Sequence, residues 1–249
     1  MVMRSEERSG LPAGPASRRA FRRMRREIAQ RLALRHAGRR TRTQQPCTRV
    51  IVIGLTGGVG AGKSTVSRVL AEEYGANVLE ADRIAAEAML PGGAAFAGVL
   101  ARFGIGVLAG DGTIDRACLA QIVYKDPAQL EALEQIVHPS VFETVRARLR
   151  LSRHGLIVYE AALPREARLS ELCDTVWYVR TAAEERARRL KDTRGYSGER
   201  SRQIMANQLS DEEFLALADV VIENNGSEEA LRAAVRRAVS DLKRKGRGR

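Results

Sequence analysis

Short apolar runs rich in Val, Ile and Leu alternate along this chain with longer segments whose apolar positions have helical spacing. Uninterrupted β-branched runs of this length are typical of strands buried on both faces of a parallel sheet. The pattern therefore predicts an α/β fold. The predicted strands cover residues 49–55, 77–82, 155–160, 174–179 and 218–223.

The region between the second and third predicted strands, residues 83–153, has mostly helical patterning. We expect Asp115 to cap a helix over 116–124 and Asp126 to begin a long helix, because Asp is a favoured capping residue. Pro139 is expected to interrupt or kink that long helix. A helical insertion between two strands is a natural place to hold a substrate.

The composition bounds the class of protein. A chain of 249 residues with 44% hydrophobic residues can bury a full α/β core. Its apolar runs fall short of the roughly 20 residues that cross a bilayer, so we expect a soluble protein with no membrane partner. The three cysteines are far apart and form no C-x-x-C pair, which predicts neither a disulfide framework nor a zinc site and favours a reducing, cytoplasmic location.

The net charge of +12 is carried by the ends of the chain. Residues 1–49 contain 14 arginines against 3 glutamates, and residues 243–249 contain 5 basic residues and no acid. The segment between them has 23 basic and 27 acidic residues. A nucleic-acid groove in the core is therefore not expected. The basic tail, 243–249, is predicted to be disordered after a final helix over 228–243.

The basic extension, residues 1–48, has three competing interpretations. It places Phe21, Met24, Ile28 and Leu32 at helical spacing among arginines, so it could be a disordered or partly helical arm that touches nucleic acid or an acidic membrane. It could be an organelle-targeting segment, because it is rich in Arg and poor in acids. It could also be upstream sequence that a wrong start assignment includes.

A phosphate-binding motif follows the first predicted strand. The stretch from Gly57 to Thr65 satisfies G-x-x-x-x-G-K-[ST], and a predicted helix follows it. Glycines let backbone N–H groups form a concave cradle for phosphate oxygens, lysine can bridge two phosphates, and the serine hydroxyl can hold Mg²⁺. The motif predicts a site for a nucleoside triphosphate and Mg²⁺, with Ser64 as the metal ligand. The loop residues expected to bind the triphosphate are Gly57, Gly58, Gly60, Ala61, Gly62, Lys63, Ser64 and Thr65.

Carboxylates end the second and third predicted strands. Strand alternation is expected to put Glu80 and Asp82 on one side, at the sheet edge where ligands bind in parallel sheets. Asp82 there could accept a proton from an attacking hydroxyl, or it could simply cap the helix that begins at Arg83. Glu160, at the end of the third strand, stands where a second carboxylate could position Mg²⁺ through water.

An arginine-rich segment follows the fourth strand. Residues 182–210 could form a solvated helical hairpin held by Glu–Arg pairs, or a mobile lid whose arginines meet the triphosphate when it closes. Because the segment leaves the ligand-binding edge of the sheet, we favour the lid. Its basic residues include Arg186, Arg188, Arg189, Lys191, Arg194, Arg200 and Arg202.

From about residue 50 to 240 the chain resembles the dephospho-CoA kinases. The ordered set of landmarks is more specific than the phosphate loop alone, and it includes Asp111 or Asp115 with Arg116, and His138-Pro139. The matching stretches are GLTGGVGAGKSTVSRVLAEEYGA, EADRIAAEAMLPGGAAFAGVLARFG, DGTIDRACLAQIVYKDPAQLEALEQIVHP, RLKDTRGYSGERSRQIMANQ and ADVVIENNGSEEAL.

The resemblance implies transfer of the ATP γ-phosphate to the ribose 3′-hydroxyl of dephospho-CoA, the last step of CoA synthesis. It implies a phosphate-loop NTPase domain at 49–242: a three-layer α/β/α core with a five-stranded parallel sheet, a helical CoA-binding region at about 83–153, and a helical lid at about 182–210. The roles it implies are Asp82 as base and substrate contact, Lys63 and Arg194 as catalytic, Arg189 and Asn224 as ATP-binding, and Arg116 and His138 as substrate-binding. Gln208 follows the lid.

Three features depart from the family pattern. Glu80 stands where an aspartate is usual, the usual D-x-P-L-L-[FY]-E reads EAALPRE at 160–166, and residues 1–48 have no counterpart. The alternative function is another phosphate-loop kinase for a small metabolite or nucleotide. A different class of protein, a nucleotide-regulated factor that uses its basic arms on nucleic acid, is disfavoured by the slightly acidic core.

Overall fold

The computed structural model describes residues 50–162 and 167–247, and side chains up to residue 244. The basic extension at 1–48 and most of the departing segment at 163–166 lie outside these ranges, so the expectations for them stay predictions. None of the described helices is long and apolar enough to cross a membrane.

All five predicted strands are present: β1 Ile51–Thr56, β2 Asn77–Glu80, β3 Leu156–Glu160, β4 Thr175–Arg180 and β5 Val220–Glu223. They form one parallel sheet in the order β2-β3-β1-β4-β5. The central strand pairs Leu55 with Glu160 of β3 and Thr56 with Tyr178 of β4. The change of direction in strand order beside β1 opens a crevice at the carboxyl edge of the sheet, which is where ligands bind in open parallel sheets.

Ten α-helices and one 3-10 turn, Ile105–Val107, connect or flank the strands in the described part of the chain. Four of them lie between β2 and β3, as the patterning of residues 83–153 predicts. The helices are α1 Lys63–Tyr74, α2 Ala81–Ala88, α3 Phe96–Phe103, α4 Arg116–Val123, α5 Pro127–Leu151, α6 Leu169–Leu172, α7 Ala183–Arg194, α8 Gly198–Ala206, α9 Asp211–Leu217 and α10 Glu228–Arg247.

Successive residues of the central strand enter different cores. Ile53 and Leu55 pack with α1 and α10, while Val52 packs into the cluster that includes α2 to α5. This follows from the two-residue period of a strand, whose side chains point alternately to opposite faces. Helices therefore cover both faces of the sheet, which confirms the three-layer α/β/α architecture.

The structure corrects the prediction at the second strand. β2 ends at Glu80, and α2 begins at Ala81, so Asp82 lies in the first turn of a helix. Strand alternation does not relate Glu80 to Asp82, and Asp82 is not the cap of this helix, because the N-cap position is Glu80. The alanine-rich stretch has high helix propensity, and Ile84 and Ala88 bury the same face of the helix.

Two further expectations about helices are corrected. The long helix was expected to be interrupted or kinked at Pro139, but α5 continues through this residue to Leu151, so an interruption is not observed and a kink stays a prediction. Helix α10 reaches Arg247, so the basic tail is helical over most of its length rather than disordered. The predicted caps are confirmed: Asp115 accepts from the N–H groups of α4, and the Asp126 carboxylate accepts the N–H of Ala128.

Candidate active site

The phosphate loop is held in a shape that requires glycine. Gly62 has φ of 91°, and a Cβ at this position would lie 2.3 Å from Nδ2 of Asn224. Helix α1 begins at the next residue with no side-chain cap and no acid in its first turn. Its first N–H groups therefore face the loop without a protein anion, which is the arrangement that binds phosphate at a helix N-terminus.

The carbonyl of Ala61 is fixed by two residues that follow the strands β4 and β5. It accepts hydrogen bonds from Oγ1 of Thr181 at 3.0 Å and from Nδ2 of Asn224 at 2.7 Å. Thr181 follows β4 and Asn224 follows β5, and both side chains are buried. Because both lone pairs of this carbonyl are engaged, the loop is set before any ligand arrives.

Lys63 is folded back over the loop. Its Nζ donates to the carbonyl of Gly57 at 2.9 Å and lies 3.4 Å from that of Gly58. Burial lowers the pKa of Lys63, while the charges of Glu160 and Asp82 oppose that shift. The ammonium thus lies in a partly dehydrated site that a phosphate oxygen could complete.

The two carboxylates near Lys63 differ in environment. Glu160 is half-buried, accepts the hydroxyl of Ser67 at 2.6 Å, and has its pKa raised chiefly by burial. Asp82 is exposed, and no hydrogen bond or ion pair to its side chain occurs within residues 50–162 and 167–247. It is therefore free to meet a ligand hydroxyl.

The oxygen donors at this edge fit a magnesium ion that is held mainly by phosphate. Ser64 is exposed on the first turn of α1, and Asp82 and Glu160 act electrostatically on the adjacent Lys63. The described residues contain no group of three or more His, Cys, Asp or Glu side chains arranged so that it could hold a metal ion by itself. Mg²⁺ usually takes one or two protein oxygens plus waters and substrate phosphates, so such a sparse donor set suits it.

Helix α7 brings the predicted lid arginines to the loop. Arg189 pairs with Glu185 at 2.8 Å and donates to the carbonyl of Asn224 at 3.0 Å, and its Nη1 would lie 3.4 Å from a Cβ on Gly62. Arg194, at the end of the helix, is exposed and lowers the pKa of Lys63 through its charge. The structure thus brings Arg189 and Asn224 to the loop, and the charge of Arg194 acts on Lys63 without a direct contact in the described chain.

The predicted acceptor residues lie elsewhere. Arg116 is exposed in the first turn of α4, and His138 is half-buried in α5. Within the described parts of the chain, no hydrogen bond or ion pair links either side chain to the phosphate loop. Their connection to the site stays a prediction from the family resemblance.

Sequence reasoning missed several residues that shape the loop. Thr181 gave no signal, because a single threonine after a strand is common. Ser67, which bonds Glu160, lies one helical turn from the motif and could have been found from its spacing. Arg186 was one of many lid arginines, yet it alone among them donates to the loop carbonyl of Val59, at 2.9 Å, within the described chain.

Comparison with known proteins supports the assignment that this geometry suggests. The dephospho-CoA kinase family model matches residues 51–230. This chain belongs to the dephospho-CoA kinase family. The dephospho-CoA kinase of Geobacter sulfurreducens is 43% identical over 183 residues, covering 72% of this chain and 92% of that protein. The dephospho-CoA kinase of Thermobifida fusca is 39% identical over 197 residues, covering 79% and 98%.

A solved structure has the same fold as this chain. The crystal structure of a Thermus thermophilus protein has a TM-score of 0.67 and 33% identity, and it covers 78% of this chain and 98% of that one. The family match and the sheet topology together confirm the predicted phosphate-loop kinase fold. The match begins at residue 51, so the basic extension lies outside it.

Proposed function

We propose that this chain transfers the γ-phosphoryl group of ATP to the ribose 3′-hydroxyl of dephospho-CoA, giving CoA and ADP in the cytoplasm. The observation that carries the proposal is the position of Lys63, which lies in a preset phosphate cradle and interacts electrostatically with both Asp82 and Glu160. In a chain of this family, that arrangement supports a donor phosphate held opposite a base for the acceptor.

ATP binding is assigned to the loop and its neighbours. The backbone N–H groups from Gly60 to Thr65 and the ammonium of Lys63 would hold the phosphates. Arg189 and Asn224 flank the loop at Gly62, where they suit the nucleoside side of ATP. The charge of Arg194 acts on Lys63, so Arg194 would also help to neutralise the phosphates. Phosphoryl transfer needs this kind of positioning and charge neutralisation more than covalent chemistry.

Asp82 is assigned as the base. Its carboxylate is exposed and lies on the same edge of the sheet as Lys63, so it can take the proton of the 3′-hydroxyl as the new P–O bond forms. Glu160 is the poorer candidate, because it is half-buried and bonded to Ser67.

Ser64, with Asp82 or Glu160 through water, would hold Mg²⁺ beside the phosphates. The ion, when bound, neutralises charge on the β- and γ-phosphates. Arg116 and His138 are assigned to the acceptor, on the helical region between β2 and β3. Glu80, whose side chain is longer than the aspartate usual at this position, pairs in register with Glu160 and lies at the same edge of the sheet.

The test is an ATP-turnover assay with dephospho-CoA, run beside a panel of nucleoside monophosphates and a measurement of RNA and DNA binding at physiological salt. We expect rapid CoA formation with dephospho-CoA and none of comparable rate with the panel. Lys63→Ala should abolish turnover. A failure of dephospho-CoA to stimulate ADP release would reject the proposed function, and turnover of a nucleotide instead would favour another phosphate-loop kinase.

A further inference from the structure

The side chain of Gln208 joins the end of the lid to the phosphate loop. Its Oε1 accepts the backbone N–H of Val59 at 3.0 Å and Nη2 of Arg186 at 2.6 Å. Nε of the same guanidinium donates to the carbonyl of Val59 at 2.9 Å. One side-chain amide, one guanidinium and the backbone N–H and C=O of one residue, Val59, therefore form a closed hydrogen-bonded ring, here called the Gln208 ring, from three separate parts of the chain.

The ring holds a cation that lacks a protein anion. Both acceptors of Arg186 are neutral, and within the described residues no carboxylate forms an ion pair with it. Burial lowers the pKa of Arg186, and its charge in turn lowers the pKa of Lys63. A partly buried guanidinium beside a partly buried ammonium is unfavourable until an anion arrives. The positive charge of this site therefore suits a phosphate group of a ligand, because no carboxylate of the described chain neutralises Arg186.

The guanidinium lies directly against the loop backbone. A Cβ on Gly58 would lie 2.2 Å from Nη2 of Arg186, so this contact depends on the missing side chain of glycine. On another side, Arg186 borders a cavity of about 760 Å³ that β4, α8 and α9 also line. Arg186 is therefore not enclosed on every side, and its hydrogen bonds to Val59 and Gln208 help to fix its position.

We propose that Arg186 is a phosphate-facing cation in the transfer reaction, and that Gln208 is the positioning residue that aims it by tying the end of the lid to Val59. This inference rests on the proposed function and assigns to it a residue pair outside the phosphate-loop motif. Because Gln208 follows α8 and Arg186 lies in α7, the ring connects both ends of the lid to the loop. Displacing the lid therefore displaces a catalytic charge.

The first test needs no substrate. Hydrogen exchange at the Val59 amide, followed by NMR, reports the hydrogen bond to Gln208 directly. In Gln208→Met, which has a similar length but no strong acceptor, exchange at Val59 should accelerate at least about tenfold. Gln208→Glu keeps an acceptor at the same reach and should keep exchange within about threefold of the unmodified protein. Unchanged exchange in Gln208→Met would refute the ring in solution.

The second test asks whether the ring acts in transfer. Gln208→Met should lower kcat at least about tenfold with less than about a threefold change in KM for dephospho-CoA, because positioning is lost while the acceptor site is intact. Gln203→Met, the same substitution at an exposed position of α8, is the matched control and should leave kcat unchanged. A residue that only supports the fold would instead lower the melting temperature and leave kcat intact.

A double-mutant cycle separates positioning from an independent effect. If Gln208 acts through Arg186, the double variant Arg186→Met/Gln208→Met should be no slower than Arg186→Met alone, within about threefold. Fully multiplicative losses would overturn the proposal. If the unmodified protein does not turn over dephospho-CoA, the proposed function fails. The exchange experiment would then still decide whether the ring exists, and a cycle on ATP affinity would decide whether the pair acts on phosphate.

Discussion

At the scale of single residues, the environment of Lys63 favours an anionic ligand. The folded protein lowers the pKa of this ammonium by burying it, and it bonds the group to the carbonyls of its own loop. Such an arrangement is unfavourable for a cation unless opposite charge is near. Glu160 and Asp82 supply part of that charge, and a triphosphate would supply the rest.

The prediction at the scale of single residues concerns Asp82. Asp82→Asn should lower kcat by about 10²- to 10⁴-fold, because the amide cannot accept the proton of the 3′-hydroxyl. The dissociation constant for ATP, measured by calorimetry, should change little, since the phosphates are held by the loop. Asp241→Asn, far along α10, is the control. A near-normal kcat in Asp82→Asn would remove this residue from the role of base.

At the scale of single elements, the Asp115 cap orients the helix that carries Arg116. The carboxylate accepts the N–H groups of Ala117 at 2.9 Å and of Cys118 at 3.0 Å, which would otherwise lack partners at the start of α4. Any role of Arg116 in binding the acceptor therefore depends on this cap.

Replacing the cap gives the element-level prediction. Asp115→Ala should lower the free energy of unfolding by about 1 kcal/mol, the usual loss for an N-cap, as measured by urea denaturation. Asp115→Asn retains a side-chain oxygen at the same position and should lose less than half as much. Equal losses in the two variants would show that the charge, rather than the cap hydrogen bonds, stabilises the helix.

The sequence predicted elements where local signals agreed and failed where they competed. Asp115 and Asp126 each stand before a helical pattern, and both caps were correct. Glu80 and Asp82 satisfy strand alternation as well as a helix start, and the alanines that follow decided for the helix. Pro139 predicts a break, but α5 packs against the core on both sides of it through Val137 and Val141. Tertiary burial outweighed the local signal there.

The candidate site likewise contains some residues that the sequence could predict and others that it could not. The loop from Gly57 to Thr65 was predictable because its function fixes the order of its residues. The Gln208 ring was not, since it joins residues 149 positions apart and depends on where α7 and α8 meet the loop. Only tertiary structure can bring a lone glutamine to a particular backbone N–H.

On the scale of the whole molecule, ion pairs connect α1 and α10, the first and last helices of the described residues, over the core they share. Glu73 of α1 accepts Nη1 of Arg232 at 3.0 Å and Nε of Arg236 at 2.7 Å, both from α10. These hydrogen bonds, with that of Arg236 the largest contribution, lower the pKa of Glu73 from 4.5 to about 2. The carboxylate is therefore favoured in its charged form in the folded protein.

The stability of this connection should depend on pH. A carboxyl with a lowered pKa adds stability above about pH 4.5, and that stability is lost as the pH falls toward 2. Glu73→Gln should therefore be less stable than the unmodified protein at pH 6, and the difference should shrink steadily between pH 5 and pH 2 in urea titrations. Glu134→Gln, on α5, is the control. A difference that stays constant over this range would mean that Glu73 contributes by packing alone.

The hydrogen bonds to the carbonyl of Ala61 determine when, during synthesis of the chain, the phosphate loop can reach its final shape. Its carbonyl is fixed by Thr181 and Asn224, which follow it by 120 and 163 residues. A ribosome releases the chain from its N-terminus, and long-range strand pairing forms late in folding. The motif therefore emerges early, but its final shape must wait until translation has passed Asn224. An unfinished chain, although it already carries every residue of the motif, lacks a completed phosphate site.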